Sequence, residues 1–206
     1  MAQHLAAFIG LSTLLAIAPG PDLALVTRNA LSHGTRGVLL TTSGLASALI
    51  VWLGAVAAGI IALVQTAPGV YSVLRVMGGL YLGYLGGRTL WGSLHEPPAL
   101  TTDPPSGSGR SLWGQGFLSA LLNPKLGVFF VTFFPQFVDP SHPVAPQVLA
   151  LGAIFIAIGI GWMNIYGLSV SRLRSVILSA RVRQWMERAT GAVLLGFGVL
   201  LIVSRG

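Results

Sequence analysis

Six long hydrophobic runs constrain this chain more than any other feature of its sequence. A transmembrane helix needs about 20 predominantly apolar residues to cross the hydrocarbon core of a bilayer. Runs of that length or longer lie at about 4–27, 37–64, 70–91, 112–136, 146–170 and 185–204. Only 8% of the residues are charged, whereas a soluble domain carries about 25%. The sequence therefore predicts an all-α integral membrane protein with six transmembrane helices.

The composition excludes several classes of function. The 206 residues include no cysteine, which rules out disulfides, iron–sulfur clusters and thiol catalysis. Four scattered histidines and five acidic residues leave little material for a metal site. The runs hold no Ser/His/Asp set, no histidine cluster and no glycine-rich phosphate loop. We therefore expect a protein that is not an enzyme and that binds no cofactor or metal.

The basic residues predict the orientation of the chain. Although the net charge is +7, these residues lie mainly between the runs, which favours cytoplasmic loops beside anionic lipid over a nucleic-acid partner. Nine arginines fall at the first, third and fifth connections, against two at the other side. Because positively charged loops stay in the cytoplasm, we expect a multi-pass protein of the bacterial inner membrane with both termini outside.

A weak internal repeat divides the chain into two halves. The linker at about 93–110, rich in proline, serine, threonine and glycine, separates repeat 1 (about 1–92) from repeat 2 (about 111–206), within a single membrane domain of residues 1–206. Leu11-Ser12 is echoed by Leu118-Ser119. A unit of three helices repeated in tandem must be inverted, since three is odd, and inverted repeats build transporters around a site at the membrane midplane.

Small residues four apart predict where helices approach closely. In the second run, Gly44 is followed by Ala48 and Gly54 by Ala58, a spacing that lets two membrane helices come into backbone contact. Such faces serve packing within one chain or between copies, so the sequence leaves a homo-oligomer open.

Helix breakers and charges of opposite sign interrupt two of the runs. The first run contains Pro19-Gly20-Pro21-Asp22 and the fourth contains Asn123-Pro124-Lys125. Proline removes a backbone donor, and Asn followed by Pro is typical of a helix start. A broken helix is tolerated at membrane depth only where protein or a watery cavity satisfies the freed polar groups. We therefore predict that helices 1 and 4 are broken and that a binding site lies between the breaks.

The sequence leaves three interpretations of the two charges open. Asp22 and Lys125 serve transport, or they only neutralise each other, or Asp22 lies at the cytoplasmic surface near Arg28. Asn164 either lines the cavity or bonds to a neighbouring helix. Ser12 and Ser119 are expected to bond their own helix backbone, and Asp139 is expected to be a solvated loop charge.

These residues resemble the LysE/RhtB-type amino-acid exporters over essentially the full chain. The similarity rests on Pro19-Gly20-Pro21-Asp22, Gly78-Gly79, Tyr81-Leu82-Gly83, Gly116-Phe117, Asn123-Pro124-Lys125, Phe129-Phe130 and Pro135-Gln136-Phe137. The resemblance implies six helices and export of amino acids or close derivatives, driven by the proton gradient. A divalent-cation exporter of related architecture and a non-transporting membrane subunit are the alternatives.

From the residues we expect a site for a zwitterion. The substrate carboxylate would meet Lys125 and the helix start at Pro124, because helix N-termini attract anions. The substrate ammonium would meet Asp22 or the unwound carbonyls of residues 18–20. A proton from outside would neutralise Asp22 and release the substrate.

Overall fold

The structure, a computed structural model, describes residues 2–66, 109–139 and 141–172, with isolated helical positions between 73 and 91 and between 184 and 199. Every regular element in these ranges is helical, as the sequence predicts. The five α-helices are α1 (Ala2–Ile17), α2 (Pro21–Thr66), α3 (Gly109–Leu121), α4 (Pro124–Val128) and α5 (Val144–Arg172). A π-helical turn, Phe129–Phe133, and a 3₁₀ turn, Phe134–Phe137, follow α4.

Helix α2 consists of two arms that fold back on each other at Gly34. Gly34 has φ 56° and ψ −145°, a conformation that glycine adopts without steric cost. Asn29 Nδ2 donates to Thr41 Oγ1 over 2.8 Å, although twelve residues of uninterrupted helix would span about 18 Å. The first arm (21–33) and the second arm (35–66) therefore lie side by side.

This turn corrects the predicted first connection. The sequence places a connection between residues 27 and 37, whereas the helical backbone continues to residue 33 and resumes at residue 35. A single glycine completes the reversal because its positive φ turns the chain in one step.

Within the described residues, three stretches have the length and hydropathy of membrane spans when the bent pair is counted as one. These are Pro21–Gly59, which includes the Gly34 turn, Val144–Arg172, and the bent pair Arg110–Leu121 with Pro124–Phe137. Large apolar side chains such as Ile50, Leu122, Leu149 and Ile165 are exposed on the outer faces, as in helices that face lipid. The third and sixth runs and the linker at 93–110 lie mostly outside the described residues, so the six-helix count stays a prediction.

Glycines bring helices into direct backbone contact. A Cβ on Gly44 would collide with the Trp113 carbonyl oxygen, and one on Gly116 would collide with that of Thr41. The second arm of α2 and α3 therefore touch, and Ala48 is fully buried on the same arm, which confirms the predicted packing of this pair. Gly54 differs, because a Cβ there would meet nothing within 4 Å.

Contact between the third and sixth runs rests on two isolated described positions. A Cβ on Gly86 would lie 2.8 Å from the Gly191 carbonyl oxygen, and one on Gly191 would lie 2.9 Å from that of Gly86.

An aromatic cluster joins α1, the π-helical turn and α5. Phe8, Phe130 and Phe134 are fully buried, and Phe8 meets Phe134 edge to face with ring centroids 5.6 Å apart. Phe129 stacks on Phe155 of α5 at 4.7 Å. Such ring pairs add to the free energy of burial, so the cluster holds the middle of α1 against the segment that follows α4.

Candidate functional site

The first break lies between α1 and the first arm. Helix α1 ends at Ile17 and the arm begins at Pro21, which leaves residues 18–20 outside any helix. Pro19 and Pro21 lack the N–H groups that would continue the hydrogen-bond ladder. Asp22 stands in the first turn of the arm, where the partial positive charge of a helix N-terminus stabilises a carboxylate. The predicted break is confirmed.

The second break lies between α3 and α4. Asn123 is extended (φ −73°, ψ 109°), and its Oδ1 accepts the backbone N–H of Lys125 at 3.0 Å. Pro124 occupies the first helical position. The two helical parts of the run bend by 46°. The predicted helix start at Asn123-Pro124 is therefore confirmed.

Asp22 is buried and receives two hydrogen bonds from the other half of the chain. Its side chain is 7% exposed. Ser119 Oγ donates to Oδ1 at 2.5 Å and Asn123 Nδ2 donates to Oδ2 at 2.6 Å. The surface position near Arg28 is thus wrong. The expectation for Ser119 is also wrong, because a buried carboxylate is a stronger acceptor than a backbone carbonyl.

Lys125 is held by the carbonyl groups at the end of α1. Its side chain is 7% exposed, and Nζ donates to the Leu15 oxygen at 3.3 Å and to the Ala18 oxygen at 3.1 Å. The helix C-terminus carries partial negative charge and free carbonyls, which suit a cation. A Cβ on Gly20 would lie 3.3 Å from Nζ, so the backbone of the break approaches the ammonium group closely.

The two charges do not touch each other. Within the described ranges, the one contact closer than 4 Å between an acidic and a basic side chain joins Asp139 and His142. Asn123 lies between the site charges: its Nδ2 donates to Asp22, and its Oδ1 accepts from the backbone of Lys125. The structure therefore contains no direct salt bridge between Asp22 and Lys125.

A small cavity adjoins both charged side chains. Its volume is about 40 Å³, room for a few water molecules, whereas pockets that bind small organic ligands measure about 300–1,000 Å³. The site must therefore widen before it can admit an amino acid. Apart from the two charged residues, the lining is apolar: Leu15, Ala16, Leu45, Leu49, Ala120, Leu126, Phe155, Gly159, Ile160 and Met163.

Asn164 takes the second of its two predicted roles. Its Oδ1 accepts from Thr42 Oγ1 at 2.9 Å, and its Nδ2 donates to the Ile160 oxygen. It is absent from the residues that line the cavity. Asn164 therefore bonds the second arm of α2 to α5 rather than facing the site.

Sequence reasoning misses a buried polar layer around the first arm. Asn29 is fully buried and donates to Thr41 at 2.8 Å and to Gln115 at 3.4 Å. Thr27 Oγ1 lies 3.1 Å from the Tyr166 hydroxyl. The available signal was the polar segment Thr27-Arg28-Asn29, which the sequence analysis assigns to the end of the first run and the connection.

The loop before α5 carries a separate, half-exposed polar cluster. Ser141 donates to Asp139 through its hydroxyl and its backbone N–H, and His142 Nδ1 lies 2.9 Å from the same carboxylate. The hydrogen bonds from Ser141, followed by that of His142, lower the pKa of Asp139 from 3.8 to about 2. Asp139 is thus a solvated loop charge, as predicted.

Comparison with known proteins places these features in a family. The chain is 31% identical to an uncharacterized membrane protein of Vibrio cholerae, over 97% of this chain and 96% of the relative. It is 27% identical to the threonine efflux protein of Salmonella typhi, over 92% of each chain. It is 28% identical to the homoserine/homoserine lactone efflux protein of Salmonella typhimurium, over 97% and 96%. No solved structure matches the chain significantly.

A family model accounts for almost the whole length. The model described as LysE type translocator matches residues 13–205, a range that includes both breaks, Asp22 and Lys125. The resemblance noted from the sequence motifs is therefore confirmed, and this chain belongs to the LysE type translocator family.

Proposed function

We propose that this protein is a secondary transporter that exports amino acids or close derivatives from the cytoplasm in exchange for protons. The observation that carries the proposal is the arrangement of Asp22 and Lys125. Each lies in the first turn of a helix after one break and is held by residues at or just before the other break. Relatives named for efflux of threonine and of homoserine support the same class of substrate.

The site offers complementary partners for a zwitterion. Lys125 has three donors, of which two bind the Leu15 and Ala18 carbonyls, and its side chain also lines the cavity. The remaining donor suits a substrate carboxylate. Asp22 lines the same cavity and suits the substrate ammonium.

Proton coupling follows from the position of Asp22. A carboxylate binds an ammonium group more tightly than a carboxylic acid does, since the acid has lost its charge. Protonation of Asp22 from the outer side would therefore weaken substrate binding there and favour release. Loss of the proton to the cytoplasm would restore the binding form, so substrate and proton would cross in opposite directions.

The membrane arrangement that suits this function has six helices in two inverted halves. Each break follows one copy of the Leu-Ser repeat, at Leu11-Ser12 and Leu118-Ser119, and each opens a helix with proline followed by a charge. The distribution of arginine favours an inner-membrane protein with both termini outside. In that orientation the loop at Asp139 faces outward and the Gly34 turn faces the cytoplasm.

A transport assay tests the proposal. Cells that overexpress the protein should release amino acids into the medium and should tolerate toxic amino-acid analogues that stop the growth of control cells. In proteoliposomes, an inward proton gradient should drive export from vesicles oriented as in the cell. The absence of transport for every amino acid tried would contradict the proposal.

Replacement of Asp22 tests its role in proton coupling. Asp22→Asn removes the charge at nearly the same volume, so proton-driven export should be abolished while the protein still reaches the membrane. Asp139→Asn removes a carboxylate that lies outside both breaks and should leave export unchanged. Normal coupled export by the Asp22→Asn variant would refute the coupling role.

A further inference from the structure

Helix α5 forms an apolar wall of the cavity. Phe155, Gly159 and Met163 lie four residues apart, the spacing that places side chains on one face of a helix. Ile160 completes the wall. Both polar side chains of the lining, Asp22 and Lys125, belong instead to the two breaks. The cavity thus has a polar part suited to the ammonium and carboxylate groups that all α-amino acids share, and an apolar part suited to the side chain of the substrate.

Gly159 is the one residue of this wall that has no side chain. It is one of the lining residues, and a Cβ built on it would meet nothing within 4 Å. The contrast on the same helix is Gly152, where a Cβ would press on the Leu53 side chain. Packing therefore explains the glycine at 152. At 159 no packed neighbour accounts for the glycine, and the residue lines the cavity.

We propose that the α5 wall selects amino acids with short aliphatic side chains, and that Gly159 sets the size it admits. This inference rests on the proposed export function and specifies its substrate class. Apart from Asp22 and Lys125, the lining side chains carry no hydrogen-bonding group. A side-chain hydroxyl or ammonium would lose its hydration there without a partner, which disfavours binding.

Valine and threonine provide the sharpest comparison because they have nearly the same shape. The relatives named for threonine efflux give no residue-level reason to expect threonine here, and the apolar wall favours valine. An apolar pocket rejects an isosteric hydroxyl by a factor of up to about 100. We therefore expect valine to exchange about 10 to 100 times more efficiently than threonine, and lysine to exchange less well than either.

The experiment uses the full chain in proteoliposomes loaded with unlabelled valine. Uptake of labelled alanine, valine, leucine, threonine and lysine gives the relative efficiency of exchange for each. Gly159→Ala adds one methyl group to the wall and should lower leucine exchange relative to alanine by about tenfold or more, the usual effect of one methylene in an apolar pocket. Ile160→Val removes a methyl group from the wall and should raise the same ratio.

Gly161→Ala is the matched control. It lies on the same helix, a Cβ there would meet nothing within 4 Å, and it is absent from the cavity lining. Both glycine variants gain the same helix propensity, so a difference between them reports the cavity. Gly161→Ala should leave the leucine-to-alanine ratio as in the wild type.

The outcomes separate this inference from the function on which it rests. Exchange of valine and threonine at equal efficiency, or equal ratios for Gly159→Ala and Gly161→Ala, would overturn the apolar wall while leaving amino-acid export in place. An unchanged ratio in Ile160→Val would also count against it if Gly159→Ala fails to reach the vesicles. No exchange of any amino acid by the wild type would contradict the proposed function itself.

Discussion

The two helix breaks contain similar residues but satisfy their freed backbone groups in opposite ways. At the second break, Asn123 caps the new helix from within its own segment, two residues before the N–H that it accepts. At the first break, the Leu15 and Ala18 carbonyls receive their donor from Lys125, more than 100 residues further along the chain. The helix after the second break is therefore capped from within its own segment, whereas the carbonyls at the first break depend on the other half of the protein.

The segments after the breaks also differ. A regular helical arm, residues 21–33, follows the first break. The second is followed by only five residues of α-helix, then a π-helical and a 3₁₀ turn. Lys125 therefore lies on a short helix that continues into irregular turns. Such π-helical turns disrupt the regular hydrogen-bond ladder and often occur at functional sites. The difference shows that two breaks with related sequences need not be structural copies.

Removal of the Lys125 charge should have the largest effect. Lys125→Met leaves the Leu15 and Ala18 carbonyls without their donor, at a cost of about 2–6 kcal/mol for the two groups together. A substrate carboxylate would also lose its partner, which should weaken binding by about tenfold or more. Hydrogen exchange should rise around residues 18–24 and stay unchanged around 123–128, and exchange in proteoliposomes should fall.

Arg110→Met provides the control for loss of a positive charge, because Arg110 is exposed at the start of α3. It should change neither measurement. Equal hydrogen exchange at both breaks in the Lys125→Met variant would show that the first break does not depend on Lys125 in this way.

The two serines that precede the breaks allow a smaller test of the same asymmetry. Ser119 donates to Asp22, whereas the fully buried Ser12 Oγ has no hydrogen-bond partner among the described residues. Ser119→Ala should lower the free energy of unfolding by about 1.5 kcal/mol, the contribution of a hydrogen bond to a charged group. Ser12→Ala should be neutral or slightly stabilising, and thermal denaturation in detergent would compare the two. If both substitutions lowered the free energy of unfolding equally, the hydrogen bond from Ser119 to Asp22 would contribute no stability of its own.

A carboxylate outside both breaks should give the smallest effect. Hydrogen bonds from Ser141 and His142 lower the pKa of Asp139 to about 2, so its stabilising contribution is present above about pH 4 and is lost as the pH falls through about 2. Asp139→Asn lacks this dependence, and the difference in melting temperature from the wild type should shrink between pH 4 and pH 2. A difference that stays constant over this range would contradict the assignment.

Local chemistry made much of this architecture predictable. Proline at 19, 21 and 124 and asparagine at 123 act through backbone donors and caps within a few residues, so both breaks could be located from the sequence. The hydropathy runs likewise located α5 and the bent α3–α4 pair. The two helix breaks are the confirmed part of the site, because they depend on interactions within a few residues of the chain.

Contacts between distant segments were not predictable in the same way. Ser119 follows the usual rule for a helix serine until a carboxylate 97 residues away in sequence becomes its acceptor. No local pattern indicates that the Lys125 ammonium binds the backbone carbonyls of Leu15 and Ala18. The π-helical turn has no local sequence signal, and the one-residue reversal at Gly34 depends on how closely the two arms pack. These features depend on tertiary packing that periodicity does not encode.

The Asn123 amide has a consequence for how the two halves could separate. Apart from that amide, Asp22 takes its hydrogen bond from α3, and Lys125 takes both of its own from the end of α1. If α3 and the first arm rocked away from α1 and α4, those bonds would travel intact with their partners. The contact between Asn123 Nδ2 and Asp22 would be the one released, so a single side chain would act as a latch on the opening of the cavity.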